Sequence, residues 1–160
     1  MTIRALNILC CLSIALSGMM AAPLRAEDMS STSRIVVDGP WARASIGTSR
    51  PGAVYLTLRN QGTDPVSLVG LRADISGIAS IHETRTNSHG VSSMTPVEDI
   101  EIQAGSTIAL EPGGYHAMLS QLKSPLVEGK TFPLTLLFAD GSELQITVPI
   151  LGMGARGPDS

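Results

Sequence analysis

Cysteine is almost missing from this chain of 160 residues: there are two, Cys10 and Cys11, side by side near the N-terminus. Residues 1–26 read as a secretory signal. Arg4 supplies the positive start, Leu6 to Leu16 form the apolar run, and Ala21-Ala22-Pro23-Leu24-Arg25-Ala26 offers small residues for cleavage after Ala26. Both cysteines fall inside that segment, so the mature chain is expected to hold none. Their absence excludes disulfides, thiolate zinc sites, c-type haem attachment and a cysteine nucleophile. Leu9 before Cys10 is a poor match to the small residue that lipid attachment requires, so release is expected in place of anchoring. Also lacking is any run of about 20 apolar residues, the length needed to cross a bilayer as a helix. The mature protein is therefore expected to be exported, soluble and not membrane-spanning.

Basic charge is scarce too. Removing residues 1–26 takes away Arg4 and Arg25 but no acid, which leaves 9 basic residues against 14 acidic and a net charge of −5. Nucleic acid calls for a basic face and is not an expected partner. No stretch longer than a turn or two repeats apolar residues at i, i+3, i+4 and i+7, so long amphipathic helices are not expected. Enzyme chemistry has no positive support: there is no nucleophile with a base at a recognisable spacing, no phosphate-cradling glycine loop and no paired-carboxylate signature.

What the chain does contain is a succession of short strands separated by turn residues. Residues 27–33 are polar and read as a flexible leader. Arg34 to Asp38 starts the first strand, which Gly39-Pro40 is expected to break. Val54, Leu56 and Leu58 then alternate with Tyr55, Thr57 and Arg59, the period of a half-buried strand. Val66 to Leu71, Ala79 to Thr84 and Thr107 to Glu111 supply further strands, Val97 to Ile102 is short and mixed, and Arg85 to Ser93 is a polar hairpin loop or a floppy excursion. Phe132, Leu134, Leu136 and Phe138 line one face of a strand. Asp140-Gly141 signals a two-residue hairpin turn, and Leu144, Ile146, Val148 and Ile150 line the return. The expectation is one all-β sandwich or barrel over residues 34–151, followed by a glycine- and proline-rich flexible tail at 152–160. A domain of this size buries roughly two thirds of its unfolded surface and needs no disulfide.

Candidate chemistry is concentrated between Ile81 and Leu119, which holds all three histidines (His82, His89, His116) together with Met94 and Met118. On a strand His116 and Met118 share a face, about 6.7 Å apart along the chain, while Tyr115, Ala117 and Leu119 turn to the core. His82 lies opposite Ile81, on the outer face of its own strand, and Met94 returns from a polar stretch where a methionine has little core to fill. Two imidazoles and two thioethers, with no thiolate, suit a soft monovalent ion, copper(I), and not a blue-copper electron-transfer centre. His89 reads either as a further ligand or as a solvated loop residue, and Met153 as a tail residue that nothing fixes near the others. Glu83, Glu98, Asp99 and Glu101 read as surface acids.

The spacing of these donors resembles the metal motif of the PCuAC family of periplasmic copper chaperones: histidine, often followed by methionine, ten residues, methionine, twenty-one residues, then His-x-Met. Here His82-Glu83 is followed after ten residues by Met94 and after twenty-one more by His116-Ala117-Met118. The flanks are similar as well: Asp38-Gly39-Pro40-Trp41-Ala42-Arg43, Ala53-Val54-Tyr55-Leu56, Asn60-Gln61-Gly62 and Glu111-Pro112-Gly113-Gly114-Tyr115-His116. The resemblance runs from about Arg34 to Ile150. It implies a cupredoxin-like Greek-key sandwich, monomeric and periplasmic, that holds one copper(I) per chain through His82, Met94, His116 and Met118. It further implies transfer by ligand exchange to the binuclear copper centre of cytochrome c oxidase subunit II, alongside or through a Sco-type protein. Glu83 stands where a methionine often sits, the hairpin lacks extra methionines and the tail has only Met153, so a second copper site is not expected. The alternatives are a periplasmic copper buffer or resistance protein with no dedicated acceptor, and a β-sandwich interaction module that binds no metal.

Overall fold

The structure is a computed structural model that describes residues 34–158; the expected signal, the leader and both cysteines lie outside the described residues. Ten strands follow one another: β1 (Ile35–Arg43), β2 (Gly52–Asn60), β3 (Val66–Arg72), β4 (Ser76–Thr86), β5 (Ser92–Val97), β6 (Ile100–Ile102), β7 (Thr107–Leu110), β8 (Tyr115–Leu122), β9 (Thr131–Phe138) and β10 (Glu143–Leu151). Their order is β5-β4-β8-β7-β2-β1-β10-β9-β3-β6, with β8 also paired to β2. β10 is the hinge of the sandwich. Its first part, Glu143 to Pro149, pairs antiparallel with β9, and its last residues, Ile150 and Leu151, run parallel to Ala42 and Arg43 of β1. The layer containing β4 and β8 is thereby joined to the layer containing β9, β3 and β6, and one apolar core lies between them.

The alternation read from the sequence explains that core. Phe132, Leu134, Leu136 and Phe138 of β9 are all buried, and so are Val54, Leu56 and Leu58 of β2. Burial of each such side chain stabilises the fold by about 1.5–3 kcal/mol. Ala117 and Leu119 on β8 have no exposed surface, and Ile81 of β4 is buried opposite Ala117. Leu144 and Ile146, near the hairpin end of β10, pack on the core only in part.

Three details differ from the sequence expectation. Gly39-Pro40 does not end the first strand: Gly39 adopts φ +54°, a bulge absorbs the misfit, and pairing resumes with Trp41 opposite Tyr55. The turn at Asp140-Gly141 is a three-residue loop. Gly141 at φ +81° donates to the Phe138 carbonyl, while Phe138 donates to the Ser142 carbonyl, so glycine serves the left-handed bulge position of a type I loop. The expected flexible tail folds back as far as it is described. Ala155 is buried against Trp41 and Tyr55, whose ring centroids lie 4.6 Å apart. The Arg43 guanidinium stands 5.6 Å from both rings and donates through Nε to the Ala155 carbonyl at 2.9 Å. Glycine and proline here shape a turn over an aromatic pair.

Asn60 ends β2 with its side chain fully buried. Its Nδ2 donates to the carbonyls of Asp64 (2.8 Å) and Ile102 (2.9 Å), and its Oδ1 accepts from the Gly62 N–H (2.9 Å). One amide thus closes the loop after β2 and ties it to β6. Asn60→Ala leaves the half-buried Gly62 N–H and the carbonyls of Asp64 and Ile102 without this partner, so a loss of about 1–3 kcal/mol is expected from urea unfolding curves. A loss below the scatter of surface substitutions would show that water replaces the amide.

Candidate metal centre

β4 and β8 are antiparallel neighbours, and their register sets His82 directly opposite His116 and Ser80 opposite Met118. β5 pairs on the other side of β4, with Met94 opposite Thr84. Residues two apart on a strand share a face, and directly opposed residues point to the same side. Met94, Thr84, His82, Ser80, His116 and Met118 therefore project from one face of the layer, the one turned away from the sandwich core. Directly opposed side chains have Cβ atoms about 4.5–5.5 Å apart and diagonal ones about 7–8 Å. His82 is thus the hub, facing His116 across the strands, with Met118 and Met94 on its two diagonals.

The two imidazole centroids are 6.0 Å apart with their planes inclined by 34°. A ring nitrogen lies just over 1 Å from its centroid and metal–imidazole bonds are about 2 Å, so two rings sharing one ion place their centroids roughly 5–6.3 Å apart. The observed spacing lies in that range.

Burial differs along the face. His116 retains 6% of its surface, His82 and Met118 are half-buried, and Met94 is 52% exposed. His116 is less open than the outward-facing alternation alone implies. β8 is a central strand with β4 on one side and β2 on the other, so its outer side chains have neighbours on both flanks. β5 is an edge strand, and Met94 has them on one side only.

Hydrogen bonds fix the imidazoles. The turn Glu111–Tyr115 has Gly113 at φ +90° and delivers the Gly114 carbonyl to two donors: the Thr84 N–H at 3.0 Å and His116 Nδ1 at 3.2 Å. A carbonyl has no proton to give, so Nδ1 of His116 carries the hydrogen and Nε2 keeps a lone pair. His82 Nε2 lies 3.0 Å from Ser80 Oγ, and its Nδ1 is buried with no hydrogen-bond partner among the described residues. Ser80 was legible from sequence only as a residue on the His82 face. Glu83 turns to the other side and pairs with Arg85 at 2.8 Å. Among the described residues no three His, Cys, Asp or Glu side chains are grouped for a metal.

His89 is not brought in. It sits at the tip of the β4–β5 hairpin, where its own N–H and that of Val91 bond to Asn87 Oδ1. Met153 lies 59% exposed in a hollow of about 300 Å³ together with Arg50 and Ala53. Ala53 is the β2 partner of Met118, which puts Met153 next to the face but outside the group of four.

The His82 imidazole is held below its ordinary value of 6.5, first by burial and then by the His116 ring beside it. The neutral, ligating form is favoured in the folded chain. Protonating His82 costs more in the folded than in the unfolded state, so its effect on stability is absent above pH 6.5 and destabilises the fold as pH falls below that value. An NMR titration of the metal-free protein is expected to show the His82 ring proton titrating below 6.5. A midpoint at or above that value would contradict the burial of the ring.

Comparison with known proteins adds the following. The family model described as LpqE-like matches residues 35–150. A protein of Leifsonia xyli subsp. xyli named "Putative lipoprotein Lxx21020" is 33% identical over 116 residues, which is 72% of this chain and 69% of the relative. The solution structure of CuI-DR1885 from Deinococcus radiodurans superposes with a TM-score of 0.58 at 30% identity, covering 79% of this chain and 81% of that one. The apo PCuAC domain from PmoF1 superposes with a TM-score of 0.63 over 77% of this chain and 98% of that domain, at 24% identity, a likeness of fold.

Proposed function

The chain belongs to the LpqE-like family of PCuAC-type, cupredoxin-like domains, and on that premise we propose that it carries one copper(I) ion held by His82, Met94, His116 and Met118. The observation that supports this most is the cross-strand pair: two imidazoles 6.0 Å apart on the outer face of a sheet, with a thioether on each diagonal of His82. Soft sulfur with neutral imidazole is the donor set that copper(I) prefers, and it offers little to magnesium, calcium or manganese. The CuI-DR1885 structure, from a protein 30% identical to this chain, supports the same cargo.

Copper is cargo in this reading, so release matters as much as capture. Met94 is a neutral donor on an edge strand, half open to water, and an incoming ligand displaces it with the least rearrangement. His116, buried and tied to the Gly114 carbonyl, leaves last. Such graded exchange suits a carrier, not an enzyme, and the acceptor we propose is the binuclear copper centre of cytochrome c oxidase subunit II, alone or with a Sco-type protein. The location we propose is outside the cytoplasm, in the periplasm. The lipoprotein name of the Leifsonia relative supports export, and no helix of the described residues is long and apolar enough to cross a membrane.

The test is a copper(I) titration of the signal-free protein against a competing chelator, run on wild type and on His116→Ala and Met118→Ala. One equivalent is expected to bind to wild type. His116→Ala, which removes an anchored donor, should weaken binding by two or more orders of magnitude and Met118→Ala by about one, with circular dichroism unchanged. Binding should also fall as the histidines protonate in acid. No binding by wild type, or binding indifferent to both substitutions, would sink the copper reading and leave an interaction module.

A further inference from the structure

Nothing in the spacing of the four donors says which nitrogen of each histidine faces the ion, or what holds the one that does not. The contacts of His82 answer both questions. Its Nδ1 is buried and has no hydrogen-bond partner among the described residues, while its Nε2 lies 3.0 Å from Ser80 Oγ. Two tautomers are available. With the proton on Nδ1, a buried donor is left with nothing to bond, which is the costlier defect. With the proton on Nε2, that N–H donates to Ser80 Oγ, and Nδ1 presents a bare lone pair in a place water does not reach. A buried unpartnered acceptor asks for an explanation, and an ion is one of the few available.

We propose that Ser80 is a positioning residue for the metal site: its hydroxyl accepts the Nε2 proton of His82 and so selects Nδ1 as the copper donor. This rests on the copper(I) reading above. His116 follows the opposite pattern, since the Gly114 carbonyl accepts from Nδ1 and leaves Nε2 free. The two imidazoles thus meet the ion through different nitrogens, one held by a side-chain hydroxyl and the other by a backbone carbonyl. Metal-bound histidines elsewhere have this arrangement, with the second ring nitrogen tied to an oxygen that fixes tautomer and ring plane. The register supports the assignment. Ser80 sits two residues before His82 on the same face and directly opposite Met118, so its hydroxyl lies beside the donors without being one of them.

The test begins on the metal-free, signal-free protein, with long-range proton–nitrogen NMR of the imidazoles in wild type, Ser80→Ala and Ser80→Thr. In wild type the Nε2–H tautomer is expected at His82 and the Nδ1–H tautomer at His116. Ser80→Ala should lose the preference at His82 only, and Ser80→Thr, which keeps the hydroxyl, should restore it. Adding copper(I) should shift the nitrogen signals of His82 Nδ1 and His116 Nε2. Ser80→Ala should weaken copper(I) binding by about 10–100-fold, the usual effect of removing such a support, and threonine should recover most of it. A wild-type His82 protonated on Nδ1, a copper-induced shift at His82 Nε2, or an alanine variant that binds as tightly as wild type or tighter would overturn the assignment. Failure of wild type to bind copper(I) at all would instead remove the reading on which it rests, and the metal-free tautomers would still be reported independently.

Discussion

A one-residue slip of β8 against β4 would turn His116 and Met118 into the core and push Ala117 and Leu119 out to solvent. Ala117 and Leu119 have no exposed surface, and Ile81 is buried opposite Ala117, so such a slip would cost several kcal/mol of apolar burial. The hydrophobic pattern that stabilises the sandwich therefore also holds His82 and His116 face to face. The Gly114 carbonyl adds a local lock to the same register, since it accepts the Thr84 N–H of β4 and the His116 Nδ1–H of β8 together.

Those four donors are alike in chemistry and unlike in setting. His116 stands on a central strand, buried and anchored. His82 is anchored through Ser80 and half covered, and Met94 sits on the edge strand β5 with half its surface open. On the proposed copper(I) reading, a rigid imidazole pair with one loose thioether would keep its geometry without an ion and could still be opened from one side. Were all four donors on central strands, capture would be tight but an acceptor could not reach the ion without unpairing the sheet. The edge placement of Met94 avoids that conflict, and Pro96 in the same strand removes one backbone donor from the exposed edge, which limits pairing with other chains.

Much of this was legible from the residue pattern alone. Alternation identified the faces of β2, β8, β9 and β10, because a period of two has only one outcome once an apolar core must be covered. That His82, Met94, His116 and Met118 share one face was legible by the same rule. What escaped was conformation that depends on partners distant in sequence. Gly39-Pro40 read as a break because the bulge that rescues pairing with β2 is not written locally. Asp140-Gly141 read as a two-residue turn because loop length is decided by where Phe138 and Ser142 pair. The segment after Gly152 read as loose because the Trp41–Tyr55 pair beneath Ala155 is a hundred residues or more away. Ser80 had no sequence signal beyond its place on the His82 face: a serine two residues before a histidine is ordinary, and only its 3.0 Å approach to Nε2 distinguishes it.

That fold-back of the tail bears on the metal face as well. Trp41 and Tyr55 project from the same side of the layer as Ala53, and Ala53 is the cross-strand neighbour of Met118. Covering the aromatic pair with Ala155 and the Arg43 guanidinium, and packing Ala53 against that cluster, divides the outer face into a closed part over β1 and β2 and an open part over β4 and β5. The donors straddle the boundary, which accounts for their graded exposure from buried His116 and half-buried Met118 to open Met94. On the proposed copper(I) reading, the direction from which an ion would enter or leave is set by which end of the sheet the C-terminal segment covers, at least as much as by the four side chains themselves.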